Sequence, residues 1–347
     1  MSILGTSRTL IRTAALRRAA DRLGVGVDDL PDEVVMAKLA PGFDATRWGL
    51  PPDAGITADR VVAPEVADAV RAAQEGRWSP AAGLVGAARG EWGRRAAVVD
   101  ELARLAADDD GWLTAWREAR PDDGDAAVVH AESLARLAWQ IRGPARAAAT
   151  TRGQFDGFHR VIALAETAAK EAARLLPADP TPWATRITAA TALGYDHGRF
   201  GALWDELVAR DPHHVTGHER ALQYWCAKWR GSDELVLLFA SAAAGSAPSL
   251  AHLPLLAALE VAHDDPAVWR SDPVRRALDR VLATGAAPGP AAVALAATGR
   301  HAEAVEQLRR LGPNVLCPPW DAHESPRLAH LRFRAEVCRK ARRARGG

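Results

Sequence analysis

Asp179-Pro180 recurs 32 positions later as Asp211-Pro212, and each pair stands between two segments of helical spacing. The first junction reads LLPADPTPW and the second LVARDPHHV. Proline has no amide to continue a helical ladder, so each pair stops one helix and lets another begin. An interval of this length is about one helical hairpin in the repeat families. The chain is therefore expected to build stacked hairpins rather than one compact catalytic domain. Alternating β-branched runs are absent, which predicts essentially no sheet.

The length of 347 residues suggests about two domains. Hairpins that pack only on their neighbours relax that expectation, because their core grows lengthwise. Hydrophobic residues make up 48%, ample for a folded core. Basic and acidic residues number 44 and 43, so no global field draws the whole chain to nucleic acid or to an anionic membrane. Lysine occurs only at Lys38, Lys170, Lys228 and Lys340, which leaves 40 arginines. With abundant alanine, glycine and proline, this is the bias of a high-GC genome and points to an actinobacterial origin. Arginine richness alone is therefore weak evidence for phosphate binding. Cys226, Cys317 and Cys338 form no C-x-x-C pair and no disulfide framework, which fits a reducing cytoplasm. No stretch approaches the roughly 20 apolar residues that span a bilayer. Arginines interrupt the N-terminal MSILGTSRTLIRTAALRR where a secretory signal needs an unbroken apolar run. The expected location is the cytoplasm.

Helical spacing organises most of the chain. Residues 7–23 carry Leu10, Ile11, Ala14, Ala15 and Ala19 in register, with Arg8, Arg12, Arg18 and Arg22 between them. Residues 31–40 suit a short helix, and the Pro/Gly-dense stretch 41–63 reads as a linker or an irregular wrap. Further helices are expected at 64–75, 79–88, 94–107, 154–176, 181–193, 199–210, 214–229 and 232–243. Hairpins fit 248–262 with 272–283, and 288–298 with 301–311. Three segments follow: an N-terminal helical extension with its linker over 1–60, a helical-repeat domain over 61–315, and a basic C-terminal helix and tail over 316–347.

TGRHAEAVEQLRRLGP at 298–313 resembles the second helix of a tetratricopeptide (TPR) repeat. Gly299, Ala302, Ala304, Leu308, Leu311 and Pro313 are the matching kinds of residue, and DPTPW at 179–183 resembles a repeat junction. The 32-residue interval is short for that family, and no run of regular repeats appears. The resemblance implies an all-α fold of stacked antiparallel hairpins in a TPR-like right-handed solenoid. Residues 67–245 also resemble actinobacterial proteins of unknown function related to the DUF4034 type. That likeness rests on GRW at 76–78, EWGRR at 91–95, WLTAW at 112–116, PTPW at 180–183, and RDPHH with QYWCAKW at 210–229. It carries over no activity.

Among candidate chemistries, His214 and His218 lie four apart on an expected helix, so both imidazoles could reach one metal ion. The bland reading is a helix-start cluster whose histidines cap or pack on Trp225. An H-E-x-x-H motif fails, because Leu222 stands where the second histidine belongs. The acidic runs at 108–110, 122–125 and 264–265 fall at helix ends, where turns favour aspartate, and form no D-D-x-x-D magnesium motif. No Walker lysine, dinucleotide fingerprint or G-x-S-x-G elbow is present.

Twelve tryptophans against two tyrosines is unusual, and Trp225/Trp229 repeat the spacing of Trp112/Trp116. Such rings either fill the gaps between helices or form an aromatic wall, and tryptophan and arginine are enriched in binding hot spots. The tail carries Arg332, Arg334, Arg339, Lys340, Arg342, Arg343 and Arg345 against the single acid Glu336. It is either a solvated helix end or a stripe facing RNA, an acidic partner or lipid headgroups.

The leading expectation is a non-catalytic scaffold that binds another protein or peptide through Tyr224, Trp225, Lys228, Trp229 and Arg230, with no cofactor. One alternative is a metal-dependent enzyme with a site between helices around His214, His218 and Asp196. The other is RNA or anionic-surface binding by the arginine-rich tail.

Overall fold

In the computed structural model, residues 14–27, 29–143 and 151–345 are described. Leu10, Ile11, Arg8 and Arg12 of the first expected helix, loop positions 144–150 and the side chain of Arg345 lie outside that set. The protein is all-α. Among the described residues the sole strand-like pairing is an isolated bridge between Thr57 and Asn314. No helix among them is long and apolar enough to cross a membrane.

The helices are, in chain order, α1 (14–23), α2 (Asp32–Leu39), α3 (Pro64–Gln74), α4 (Ser79–Ala87), α5 (Trp92–Asp108), α6 (Gly111–Ala119), α7 (Gly124–Arg142), α8 (Arg152–Leu175), α9 (Thr181–Ala192), α10 (His197–Arg210), α11 (Val215–Tyr224), α12 (Asp233–Ser246), α13 (Leu253–Val261), α14 (Asp272–Thr284), α15 (Pro288–Ala297), α16 (His301–Leu311) and α17 (Pro326–Arg345). Packing divides the chain into two compact units, residues 61–257 and residues 1–60 with 258–347.

Within 61–257, α7–α8, α9–α10 and α11–α12 follow one another as helix pairs. Helix α7 packs on α5 and α9, and α9 on α11. Among the described residues, three apolar clusters make up much of this unit's core. Val85, Val99, Leu102, Trp112 and Trp116 anchor the first. Phe158, Ile162 and Ala165 of α8 meet Ala135 and Ala138 of α7 in the second. Ile187, Phe200, Leu207 and Tyr224 close the third. The long α8 opens on a capping box, in which Thr151 and Gln154 satisfy each other's backbone amides.

Buried charge ties the same helices together. Arg95 of α5 is fully buried. It donates to Asp179 at 2.7 Å, to Asp125 at 2.8 Å and to the Val85 carbonyl at 2.8 Å. The other Asp179 oxygen accepts the Thr181 amide that opens α9. The first Asp-Pro pair is thus a buried ion-pair node as well as a helix stop. At the second pair, the side chain of half-buried Asp211 accepts the His213 amide at 3.0 Å and its carbonyl accepts the His214 amide at 3.3 Å. On α7, buried Glu132 receives Arg220 of α11 at 2.6 and 2.9 Å and the Thr185 hydroxyl of α9 at 2.7 Å.

In the other unit, the stretch read as linker wraps the C-terminal helix through two short 3-10 turns, Ala45–Trp48 and Asp53–Gly55. Arg334 of α17 is buried and bonds the Pro51 carbonyl and Asp53. Arg327 reaches Asp32 and Glu33, each at 2.8 Å, and the Ile56 carbonyl at 3.0 Å. Two arginines of the C-terminal segment therefore hold the fold together. Leu328 completes an apolar cluster with Ala19, Ala20, Leu30 and Val35.

Candidate binding surface at the end of α11

His214 caps α11 by accepting the Gly217 amide on Nδ1 at 3.0 Å. The helix ends at Tyr224, not at the expected 229. The Arg230 amide bonds the Tyr224 carbonyl and the Gly231 amide bonds the Cys226 carbonyl, so the chain turns back on itself. Gly231 makes this reversal possible, because a Cβ there would lie 1.8 Å from the Trp225 carbonyl oxygen. Trp225 and Trp229 consequently do not share a helix face.

Around this reversal the rings pack in two groups. Tyr224 is fully buried, stacked on Phe200 at 3.6 Å between centroids. Its hydroxyl donates to the Tyr195 carbonyl at 3.0 Å and lies 3.1 Å from His197 Nδ1. Burial raises the phenol pKa above its usual 10.0. Tyr224 is therefore a core residue and presents no contact surface, which removes it from the expected binding set. Trp225 is half-buried, face to face with the exposed His197 at 5.2 Å. Trp229, also half-buried, meets Trp139 edge-on at 5.9 Å, and Trp139 meets Phe158 edge-on at 5.0 Å.

Lys228 and Arg230 flank Trp229 and are exposed. Arg230 donates to the Gly194 carbonyl at 2.5 Å. Gly194 has φ +65°, and a Cβ on it would approach the Arg230 guanidinium to 2.8 Å. Nearby, the Arg199 guanidinium covers the Tyr195 ring at 3.6 Å. The result is a rim of fixed rings and cations built from the α9–α10 turn and the residues after α11.

The histidines behave differently from a metal pair. His214 is buried with Nδ1 committed to the cap, which leaves its proton on Nε2. His218 Nδ1 faces the His214 carbonyl at 3.0 Å, and its ring meets Trp204 edge-on at 4.8 Å. Burial lowers both pKa values, that of His214 to about 4. Among the described residues no three His, Cys, Asp or Glu side chains gather to hold a metal ion. Asp196 caps α10 from its N-terminal end, whereas His214 follows its C-terminal end. Helical rise separates them by about 20 Å, so the expected convergence of Asp196 with His214 and His218 does not occur.

The acidic runs serve turns and neighbours: Asp109 accepts the Gly111 amide, Asp123 the Asp125 amide, and Asp108 the Gln140 side chain. Trp112 and Trp116 are buried, with Trp116 Nε1 donating to Asp123 at 3.0 Å. Sequence reasoning missed His197, Tyr195 and Trp139 as members of the rim. Their contacts come from other helices, and no spacing signal within the chain links them to Trp225 or Trp229. Comparison with known protein families, with curated proteins and with solved structures returned no match.

Proposed function

We propose that the chain is a TPR-like helical-repeat protein, cytoplasmic and non-catalytic, that binds another protein or peptide at the rim after α11. The observation that carries this reading is the pair of half-buried tryptophans, Trp225 and Trp229, each held against a fixed ring beside Lys228 and Arg230. Rigid aromatic and arginine side chains lose little freedom on binding and dominate hot spots. The cations suit a peptide with carboxylates flanking an apolar residue. Successive helix pairs whose first helices α7, α9 and α11 contact in turn support the TPR-like, right-handed stack. The sequence resemblance to actinobacterial proteins of the DUF4034 type is in keeping with this reading, as are three cysteines not joined in disulfides with a reducing compartment.

Selection of a random peptide library on the immobilised protein tests the proposal. Enriched peptides are expected to carry acidic and apolar residues. Trp225→Ala and Trp229→Ala should each weaken a selected peptide by roughly thirtyfold, the scale of a hot spot of about 2 kcal/mol. The reading fails if no sequence is enriched, or if both variants bind the selected peptide as the parent does.

A further inference from the structure

The arginines of α17 divide sharply by environment. Arg327 and Arg334 are consumed by Asp32, Glu33, Asp53 and backbone carbonyls. Arg332, Arg339, Lys340, Arg342 and Arg343 are exposed. Glu336, the one exposed acid among them, is engaged by Lys340 at 2.7 Å, and Arg339 shares only its field. Arg332, Arg342 and Arg343 make no ion pair or hydrogen bond among the described residues.

At 100° per residue, Arg332, Arg339 and Arg343 fall within about 40° of one another around the helix. They run along about 16 Å of its length, with Arg342 and Lys340 to either side. Most of the remaining circumference is spent on the core: Val337, Cys338 and Ala341 lie opposite the stripe, Leu331 and Ala335 lie to either side of Arg342, and all five are buried. The whole protein is almost neutral, at formal charge +1, so this stripe is a local excess rather than part of a general basic surface.

We propose that this face of α17 binds the phosphodiester backbone of a nucleic acid, without sequence preference. Guanidinium groups pair with phosphate oxygens through two parallel hydrogen bonds, and each contact releases condensed counterions. A membrane surface fits less well. A helix lying in a bilayer interface needs an apolar face free to enter it, and that of α17 is already buried against its own unit. The exposed residues of this face carry charge and no apolar side chain that would insert.

The test uses the full chain and a fluorescein-labelled 20-nucleotide RNA and DNA duplex, read by anisotropy across a salt series. Binding is expected at about 50 mM salt and should weaken steeply as salt rises. Arg339→Ala, Arg342→Ala and Arg343→Ala combined should lower affinity at least tenfold and reduce the salt slope for the duplex by about three. The corresponding triple lysine variant keeps the charge and should stay within a few-fold of the parent. Circular dichroism of each variant should match the parent, since all three residues are exposed. Three results would overturn the proposal: no binding by the parent, equal affinity of the folded alanine variant, or binding only to phosphatidylserine vesicles with none to either oligonucleotide.

Discussion

Asp179 and Asp211 head identical dipeptides yet meet different physics. Asp179 is buried with both oxygens engaged, one by Arg95 and one by the α9 amide. Asp179→Ala leaves a buried guanidinium short of a carboxylate and should cost about 3–5 kcal/mol. Asp211→Ala removes one turn hydrogen bond and should cost about 1 kcal/mol. Urea unfolding of the two variants at pH 7 measures the gap, and equal losses would refute the distinction. The histidines add a pH dependence. Burial holds folded His214 at about 4 and His330 at about 3, against an ordinary value of 6.5. The unfolded chain takes up these protons first as pH falls. Stability from this source is complete above about pH 6.5, declines toward pH 4 and levels off below the folded values. The slope is at most about 1.4 kcal/mol per pH unit for each histidine. Thermal unfolding between pH 7 and 4 should show the decline. His214→Asn keeps a capping acceptor without the titration and should make it shallower.

Helices were legible wherever apolar periodicity and a stop signal coincided. Expected spans at 64–75, 181–193 and 301–311 correspond to Pro64–Gln74, Thr181–Ala192 and His301–Leu311. The error at α11 has a definite cause. Periodicity continues through Trp225 and Trp229, but the reversal is set by a backbone approach at Gly231 that no pattern of side chains encodes. Gly231→Ala should cost about 1–3 kcal/mol through that clash and shift tryptophan emission to the red as the rim loosens. An unchanged spectrum and unfolding midpoint would mean the reversal tolerates a side chain. The buried charges were less legible, although each had a trace. Glu132, and Glu166, which is buried on α8 and accepts from Arg186 of α9 at 3.2 Å, sit at positions where their helix neighbours Ala131, Ala135, Ile162 and Ala165 are core residues. Periodicity marks such a position as buried but cannot name its partner, because Arg220 lies 88 residues from Glu132. Trp225, Lys228, Trp229 and Arg230, expected from the sequence as contacts, lie half-buried or exposed after α11. Tyr224 was misjudged, since burial of an aromatic residue depends on the helix packed over it.

At the scale of the molecule, residues 1–60 and 258–347 make one unit. The acceptors for Arg327 and Arg334 all come from the first 60 residues. A chain lacking residues 1–60 would leave the buried Arg334 without them. Hydrogen exchange of that deletion should show α17 losing protection while α7 and α9 keep theirs, and retained protection in α17 would count against the arrangement. The same discontinuity bears on synthesis. Residues 1–60 emerge before 61–257, but Leu328, which completes their apolar cluster, follows only after all of that stretch. At ordinary rates of elongation the ribosome spends roughly 10–40 s on that intervening stretch. For that time Leu30 and Val35 wait without their final cover, so the order of translation, as much as equilibrium stability, decides when this half of the protein becomes safe from aggregation.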